Sequence, residues 1–224
     1  MGLRALGSVP DVVHGRTMHL PKTAAAFAAL ALLLSITACT GGADPDAAPS
    51  AAGSARDLGP DATALLATFD ITAPDTVGDL IEQLQGQPLA ERPDGLMASV
   101  RVDALLLSAG DEEVSLPLPT DEFHLSVAPY LDTTHECFYH SLTTCVGELG
   151  DTELHVTITD DADGAVLIDE DVTTYNNGFF DVTLPPDRDI TLTITDGEHT
   201  AEVPLGTRVD DPTCVTSIQL TSVG

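Results

Sequence analysis

The chain has 224 residues and a formal net charge of −28, because 36 aspartates and glutamates face only 8 lysines and arginines. An acidic surface repels nucleic-acid phosphates, so the composition argues against nucleic-acid binding. It also argues against a polybasic membrane-binding patch, which needs clustered lysine and arginine. The length predicts one or two domains.

The N-terminal segment is predicted to direct export. Residues 23–36 are almost wholly apolar but short for a membrane-spanning helix, and Lys22 precedes them as in a secretory signal peptide. The stretch Ile36-Thr37-Ala38-Cys39 is typical of a bacterial lipobox. We therefore predict a lipoprotein-type signal peptide at 1–38 and lipidation of Cys39, the alternative being an ordinary signal peptide with a chance cysteine. The start is either Met1 or Met18, which heads a better n-region.

Residues 39–60 are predicted to be a flexible tether. They are rich in Gly, Ala, Pro, Ser and Asp and cannot bury a core. A lipid on Cys39 would then hold the folded part at the extracytoplasmic side of the cell membrane, on the periplasmic or cell-surface side. Disulfides can form in such a compartment.

Residues 61–133 are predicted to form a small mixed α/β domain. Apolar residues at helical spacing predict a helix over 77–84, capped by Asp75 and ended by Gly86. The following apolar segment, 96–107, is ambiguous between helix and strand.

Two alternating segments, 114–118 and 123–127, predict a β-hairpin whose prolines mark an edge strand. His124 is out of phase with the apolar residues of the second segment. We therefore predict it at the surface and not as a metal ligand.

Residues 134–224 are predicted to form an antiparallel β-sandwich, which makes the whole chain α+β. Short alternating segments follow one another with turn signals between them, including Asn177-Gly178. The last strand places Cys214 on the same face as Ile218 and Leu220, so this cysteine should be held rigidly and partly shielded from water.

A cluster of cysteine and histidine residues lies between the two predicted domains. Thiolates and imidazoles bind soft and borderline metals, and three thiolates suit Cu(I). The central hypothesis is that the fold brings Cys214 to this cluster. The predicted copper ligands are then Cys137, Cys145 and Cys214, with His140 as an optional fourth, His135 as a further candidate and His155 as a weaker one.

The cysteine count indicates at least one thiol outside an intramolecular disulfide. Excluding Cys39 leaves Cys137, Cys145 and Cys214, an odd number, so one thiol is free, paired with another chain as in a homodimer, or bound to a ligand. A structural alternative to copper binding is one disulfide plus one buried cysteine. Both can coexist: a Cys145–Cys214 disulfide would leave Cys137 free, and its reduced dithiol could reduce Cu(II) stoichiometrically.

The cysteine block also carries a family resemblance. The stretch 137–145, followed by Gly147-Glu148, resembles the signature of CueP-type periplasmic copper-binding proteins. The similarity spans about residue 61 to the C-terminus and continues in the segments 92–93, 96–101, 116–119, 125–130, 177–179 and 211–214.

The resemblance implies copper handling outside the cytoplasm, copper resistance, two domains and delivery of copper to a secreted superoxide dismutase. It also implies that Cys137, Cys145 and Cys214 are functional. Familiar members of the family are soluble in a periplasm, whereas the predicted lipobox would tether this chain to a membrane.

Two other function classes remain open. A thiol-disulfide exchange protein is less expected, because it would use a low-pKa Cys-x-x-Cys motif that the chain lacks. A purely structural or adhesive sandwich is the other alternative, although the absence of Trp weakens a sugar-binding platform. No catalytic triad, phosphate loop or carboxylate pair is evident, so we predict a binding protein and not an enzyme.

Overall fold

A computed structural model of the protein describes residues 57–224. The predicted signal peptide at 1–38, the lipidation site Cys39 and most of the predicted tether lie outside the described residues. The tether's last residues are described, and a helix already begins at Gly59. Within residues 57–224, none of the helices has the length and apolar character needed to cross a membrane.

The described part contains helices and short strands in an α+β arrangement, as predicted. The helices are α1 (Gly59–Ala67) and α2 (Val77–Gln85), and a 3-10 turn covers Leu89–Glu91. The strands are β1 (Met97–Val100), β2 (Ala104–Ala109), β3 (Glu112–Pro117), β4 (Phe123–Val127), β5 (His140–Ser141), β6 (Glu153–Asp160), β7 (Val166–Thr173), β8 (Phe180–Leu184), β9 (Asp189–Thr195), β10 (His199–Gly206), β11 (Cys214–Val215) and β12 (Thr221–Ser222).

Helix α2 begins and ends close to the predicted positions. Its N-cap is Thr76, one residue after the predicted Asp75, and the Thr76 hydroxyl accepts the backbone N–H of Asp79 at 3.1 Å. Gly86 is the C-cap, as predicted. The helix buries the stripe Val77, Leu80, Ile81, Leu84 and Gln85. The last member of this stripe, Gln85, is polar.

A four-stranded sheet packs against the helices in the order β3-β2-β1-β5. The ambiguous segment 96–107 therefore supplies two paired strands. The predicted hairpin between 114–118 and 123–127 is wrong, because β3 pairs with β2 whereas β4 pairs with β8 and β11. The two segments bury their apolar residues in different clusters, Leu116 with the helices and Phe123 with the sandwich. The edge position predicted for the first segment is confirmed.

The remaining strands form the β-sandwich expected from the sequence. A five-stranded sheet has the order β12-β10-β9-β6-β7, and a three-stranded sheet has the order β11-β4-β8. Among the described strands of these two sheets, β11 pairs with β4 in parallel and the other pairs are antiparallel; an isolated parallel bridge also joins Tyr130 and Gln219. Buried residues from both sheets share one apolar cluster, for example Leu125 and Val182 with Ile158 and Leu192.

The change from one apolar cluster to the other does not occur at a single point near residue 133. Strand β4 belongs to the sandwich, whereas β5 joins the four-stranded sheet by pairing with β1. The cysteine loop, residues 134–148, follows β4 and contains β5, so it is fastened to both parts. The predicted domain boundary, with 61–133 before it and 134–224 after it, stays a prediction.

Candidate metal centre

The fold brings together three cysteines and one histidine from distant parts of the chain. The potential ligand atoms of Cys137, His140, Cys145 and Cys214 all lie within 4.8 Å of one another. Cys137 and Cys145 lie before and after β5, His140 is in β5 itself, and Cys214 begins β11. The spatial convergence that the sequence hypothesis required is therefore present.

The disulfide differs from the expected one. Cys137 and Cys214 are bonded, with 5.5 Å between their Cα atoms, and Cys145 is the free thiol within residues 57–224. The predicted Cys145–Cys214 pairing is thus not the one found. The backbone N–H of Cys214 donates to the Phe138 carbonyl at 3.1 Å, which places β11 beside Cys137. Sequence spacing could not select this pair, since Cys145 Sγ also lies only 3.7 Å from Cys137 Sγ.

A buried threonine fastens Cys214 to the same scaffold as His140. The hydroxyl of Thr213 donates to the Val100 carbonyl at 2.7 Å and accepts the backbone N–H of His140 at 3.2 Å. The Thr213 side chain thus ties the start of β11 to both β1 and β5. The backbone bends at Phe138 and Tyr139, between Cys137 and His140.

His140 is fully buried and neutral. Burial lowers the pKa of its imidazole to about 4, so the ring carries no charge at neutral pH. Its Nδ1 lies 3.7 Å from Cys214 Sγ, and its ring packs on Phe179 with 4.4 Å between centroids. A neutral imidazole has a free lone pair, which is the form that binds metals.

Cys145 is a half-buried thiol with a raised pKa. Burial raises its pKa, while the backbone N–H of Ser141 and the charge of Arg92 lower it to a smaller extent. The Ser141 N–H points at Cys145 Sγ from 3.4 Å, and Arg92 Nη1 donates to the Cys145 carbonyl at 2.8 Å. A metal ion that binds here must displace the thiol proton.

The other predicted histidines lie apart from this group. His135 is not among the four clustered ligand residues, and its ring lies 6.5 Å from that of Phe179. His155 is on β6, where its two ring nitrogens contact Asp169 and Asp171. The surface position predicted for His124 is wrong: only 17% of its side chain is exposed, and its Nε2 lies 3.7 Å from an Asp181 oxygen.

Sequence reasoning missed the polar residues behind His140. Gln85 Oε1 lies 2.9 Å from His140 Nε2, and Asn177 and Asp181 contact the same glutamine. A signal was present, because Gln85 continues the apolar stripe of α2 at helical spacing from Ile81. A glutamine in such a stripe indicates a specific polar partner in the interior.

Glu148 holds the segment that leads into the cysteine loop. One carboxylate oxygen accepts the backbone N–H groups of Leu131, Asp132 and Thr133 at 2.7, 3.0 and 3.2 Å. The hydrogen bonds from Asp132, Leu131 and Thr133 lower the pKa of this exposed carboxyl group. The resulting stabilisation is complete above the unfolded-state pKa and is lost as the pH falls through the lower folded-state pKa.

We expect the amide resonances of residues 131–133 to titrate with a midpoint below the ordinary glutamate pKa. An NMR pH titration measures this midpoint. Glu148→Gln should abolish the titration and increase amide exchange in the segment, because the charge-assisted hydrogen bonds are lost. The control Glu136→Gln, on another exposed loop carboxyl group, should leave it in place. An unchanged titration in Glu148→Gln would show that another group is responsible.

Gly147 lies where the cysteine loop touches the turn at residues 175–178. Its N–H donates to the Asn177 carbonyl at 2.7 Å. A Cβ atom on Gly147 would lie 2.7 Å from Ala128 Cβ and 3.0 Å from the Gly178 carbonyl oxygen. Since Gly178 itself has a φ of +82°, the turn has little freedom to move away.

Gly147→Ala should therefore lower the free energy of unfolding by about 1–3 kcal/mol, as overpacking does elsewhere. Thermal unfolding followed by circular dichroism measures the change. Gly78→Ala in α2 is the matched control: its Cβ would meet only Thr76 Oγ1 at 3.8 Å, so stability should be kept or increased. Equal melting temperatures for Gly147→Ala and the wild type would contradict the close contact.

Comparisons with known proteins agree with the geometry. The family described as periplasmic copper-binding protein CueP matches residues 79–219. A solved structure titled "Crystal Structure of S.CueP" superposes with a TM-score of 0.66 at 35% identity, covering 73% of this chain and 99% of that one. No curated protein sequence matches. The matched region includes the whole Cys/His group, and the chain therefore belongs to the CueP family of periplasmic copper-binding proteins.

Proposed function

We propose that the reduced protein binds one Cu(I) ion through the thiolates of Cys137, Cys145 and Cys214, with His140 Nδ1 as a fourth ligand. The observation that carries this proposal is the convergence of three sulfurs and one imidazole nitrogen within 4.8 Å. Such a soft donor set fits Cu(I) and is poorly suited to hard ions such as Mg²⁺ or Ca²⁺. The protein then acts as a copper buffer or chaperone.

The disulfide sets the condition for binding. Of the four clustered residues, the oxidised form leaves only the Cys145 thiol and the His140 imidazole free to coordinate, because Cys137 and Cys214 are bonded to each other. Two-electron reduction releases two further thiols. Copper binding is therefore expected to be strong in the reduced form and weak in the oxidised one.

The reverse reaction couples the site to Cu(II). Oxidation of the Cys137 and Cys214 thiols to a disulfide releases two electrons and two protons. Each Cu(II) accepts one electron, so one dithiol converts two Cu(II) ions to two Cu(I) ions. The reaction is stoichiometric, because the disulfide must be reduced by another thiol or protein before it can run again. This behaviour is consistent with a binding protein and not a conventional enzyme.

His135 is proposed as an accessory ligand. It precedes Cys137 by two residues in a segment without regular secondary structure, and its side chain lines the open cavity beside Cys137 and Cys214. A change in the backbone of this segment on reduction would be enough to bring it nearer the sulfurs. His155 is not included, since both of its ring nitrogens contact aspartates on β7.

The location and the partners are proposed from the sequence and the family. Membership in a periplasmic family supports an extracytoplasmic site of action. We further propose that Cys39 carries a lipid that anchors the protein to the membrane, since the residues before it form a lipobox. A secreted superoxide dismutase is the proposed copper acceptor, on the strength of the family resemblance. The homodimer remains a proposal that rests on the odd number of cysteines.

Thiol-disulfide exchange is the second candidate function. The Cys145 thiol lies 3.7 Å from Cys137 Sγ, so it is close enough to approach the disulfide. However, burial raises the pKa of Cys145, whereas exchange catalysts use a thiol with a lowered pKa. Copper binding is therefore the better-supported function.

Titration of the protein with Cu(I) against a chromophoric Cu(I) chelator tests the proposal. The reduced protein should remove one equivalent from the chelator, whereas the oxidised and fully alkylated proteins should not. Insulin-reduction activity above that of a small dithiol would favour the second candidate instead. Tight binding that survives alkylation of all three thiols would overturn the assignment of the site.

A further inference from the structure

A buried polar chain lies directly behind His140 and is not part of the ligand set. Gln85, at the end of α2, has no exposed surface. Its Oε1 lies 2.9 Å from His140 Nε2 and accepts the side-chain N–H of Asn177 at 3.1 Å. Its Nε2 donates to Asp181 Oδ1 at 3.0 Å. Three elements of the fold therefore converge on one amide group.

The partners of Gln85 determine which way its amide group points. Burial raises the pKa of Asp181, but its contacts with His124, His140 and Ser126 together lower the pKa overall. The carboxylate is therefore ionised and accepts the hydrogen bond from Gln85 Nε2. A flipped amide would place Oε1 against this carboxylate and its NH₂ group against the NH₂ group of Asn177. Both contacts would be repulsive, so only the observed orientation satisfies the buried groups.

The orientation of the amide in turn determines the tautomer of His140. Gln85 presents its amide oxygen Oε1 to His140 Nε2, and an amide oxygen accepts hydrogen bonds but cannot donate them. The ring proton of the neutral imidazole must therefore be on Nε2. This leaves the lone pair on Nδ1, which is the nitrogen that lies 3.7 Å from Cys214 Sγ.

We propose that Gln85 is a positioning residue for copper: with Asn177 and Asp181 it keeps His140 as the Nε2–H tautomer and points the Nδ1 lone pair at the three cysteines. The proposal rests on the ligand role of His140 given above. Metal-binding histidines commonly donate their second ring N–H to an oxygen acceptor, which fixes the ring and raises its affinity for the metal. Here the acceptor is an amide whose own orientation is fixed by the partly buried Asp181 carboxylate.

The same network explains why a glutamine occupies this position in the apolar stripe of α2. A buried amide costs free energy unless its hydrogen bonds are made, and a leucine or methionine would fill the space without that cost. All the polar atoms of the Gln85 side chain have partners within 3.1 Å. The polar residue thus contributes a defined orientation at the metal site in addition to packing.

The tautomer can be measured in the wild-type protein without copper. Long-range ¹H–¹⁵N correlation spectra of the reduced, metal-free protein distinguish a protonated ring nitrogen from one with a lone pair. We expect one tautomer for His140, with the proton on Nε2. A proton on Nδ1, or a mixture of tautomers, would overturn the proposal whether or not any variant folds.

Gln85→Met tests the effect on copper. The substitution removes both polar atoms at nearly constant volume, so the His140 ring should become a mixture of tautomers and Cu(I) affinity should fall by about 10- to 100-fold. Gln83→Met is the matched control, because it makes the same change at an exposed position of the same helix. It should change neither the tautomer nor the affinity.

A double-mutant cycle separates positioning from a general effect on structure. In a His140→Ala background, Gln85→Met should change Cu(I) affinity by no more than about twofold, since there is no ring left to orient. An additional tenfold loss in that background would contradict the proposal. His140→Ala with wild-type affinity would instead refute the ligand role of His140, while the tautomer measurement would still test the role of Gln85.

Discussion

Replacing Cys214 with serine is expected to lower the affinity of the reduced protein for Cu(I) by more than about 100-fold. Changes behind a ligand already cost about 10- to 100-fold, so loss of a ligand should cost more. A serine hydroxyl is a hard, protonated donor that does not replace a thiolate on a soft ion. Competition with a chromophoric Cu(I) chelator under reducing conditions measures the change.

The position of Cys214 explains why its effect should be large. Its sulfur comes from β11, whereas the other two sulfurs come from the loop around β5, so it is the only thiol in the group that the distant part of the chain contributes. Cys39→Ser makes the same chemical change outside the described fold and should leave the affinity of this site unaltered. Wild-type affinity in Cys214→Ser would remove the basis for a three-sulfur site.

Reduction of the Cys137–Cys214 disulfide is expected to lower the free energy of unfolding of the metal-free protein by about 3–5 kcal/mol. The bond joins residues separated by 77 positions, and closing a loop of that size restricts the unfolded chain strongly. In a protein of this length the melting temperature should fall by roughly 10 °C. Circular dichroism melts with and without a non-thiol reductant measure the difference.

Copper should restore much of the lost stability. Binding to the folded state alone contributes about 2.7 kcal/mol at a free Cu(I) concentration 100 times the Kd. Cys145→Ser is the control for the disulfide effect, because this cysteine is not part of the bond, and the oxidised variant should melt close to the wild type. Identical melting curves for the oxidised and reduced wild type would show that the disulfide does not stabilise the fold.

Local patterns predicted much of this protein. The 3.6-residue spacing of apolar side chains gives helix α2, and strict alternation gives β6, β8 and β9, since each pattern depends only on neighbours in the sequence. The Cys/His block was evident as a candidate metal site for the same reason: three of its four clustered residues lie within nine positions of one another. Its long ungapped match also indicated the family.

Long-range pairing was less accessible to sequence reasoning. Alternation shows that β3 and β4 are strands, but a turn signal between them does not say whether they pair. In the structure β3 and β4 bury their side chains in different apolar clusters and pair with different strands, so the predicted hairpin does not form. The surface position predicted for His124 was wrong for a related reason. Alternation shows which face of β4 is polar but not that this face is largely covered, with the His124 ring beside Asp181.

By itself, the sequence determined the class of the protein: an acidic α+β chain with most of its soft ligands in one short stretch, because composition and short-range spacing encode these properties directly. Only the tertiary structure decided which sulfurs are bonded and what stands behind His140. Three sulfurs lie close enough to pair, and Gln85, Asn177 and Asp181 come from separate elements. Such choices depend on ångström-scale distances between segments that are far apart in the chain, and no local pattern contains those distances.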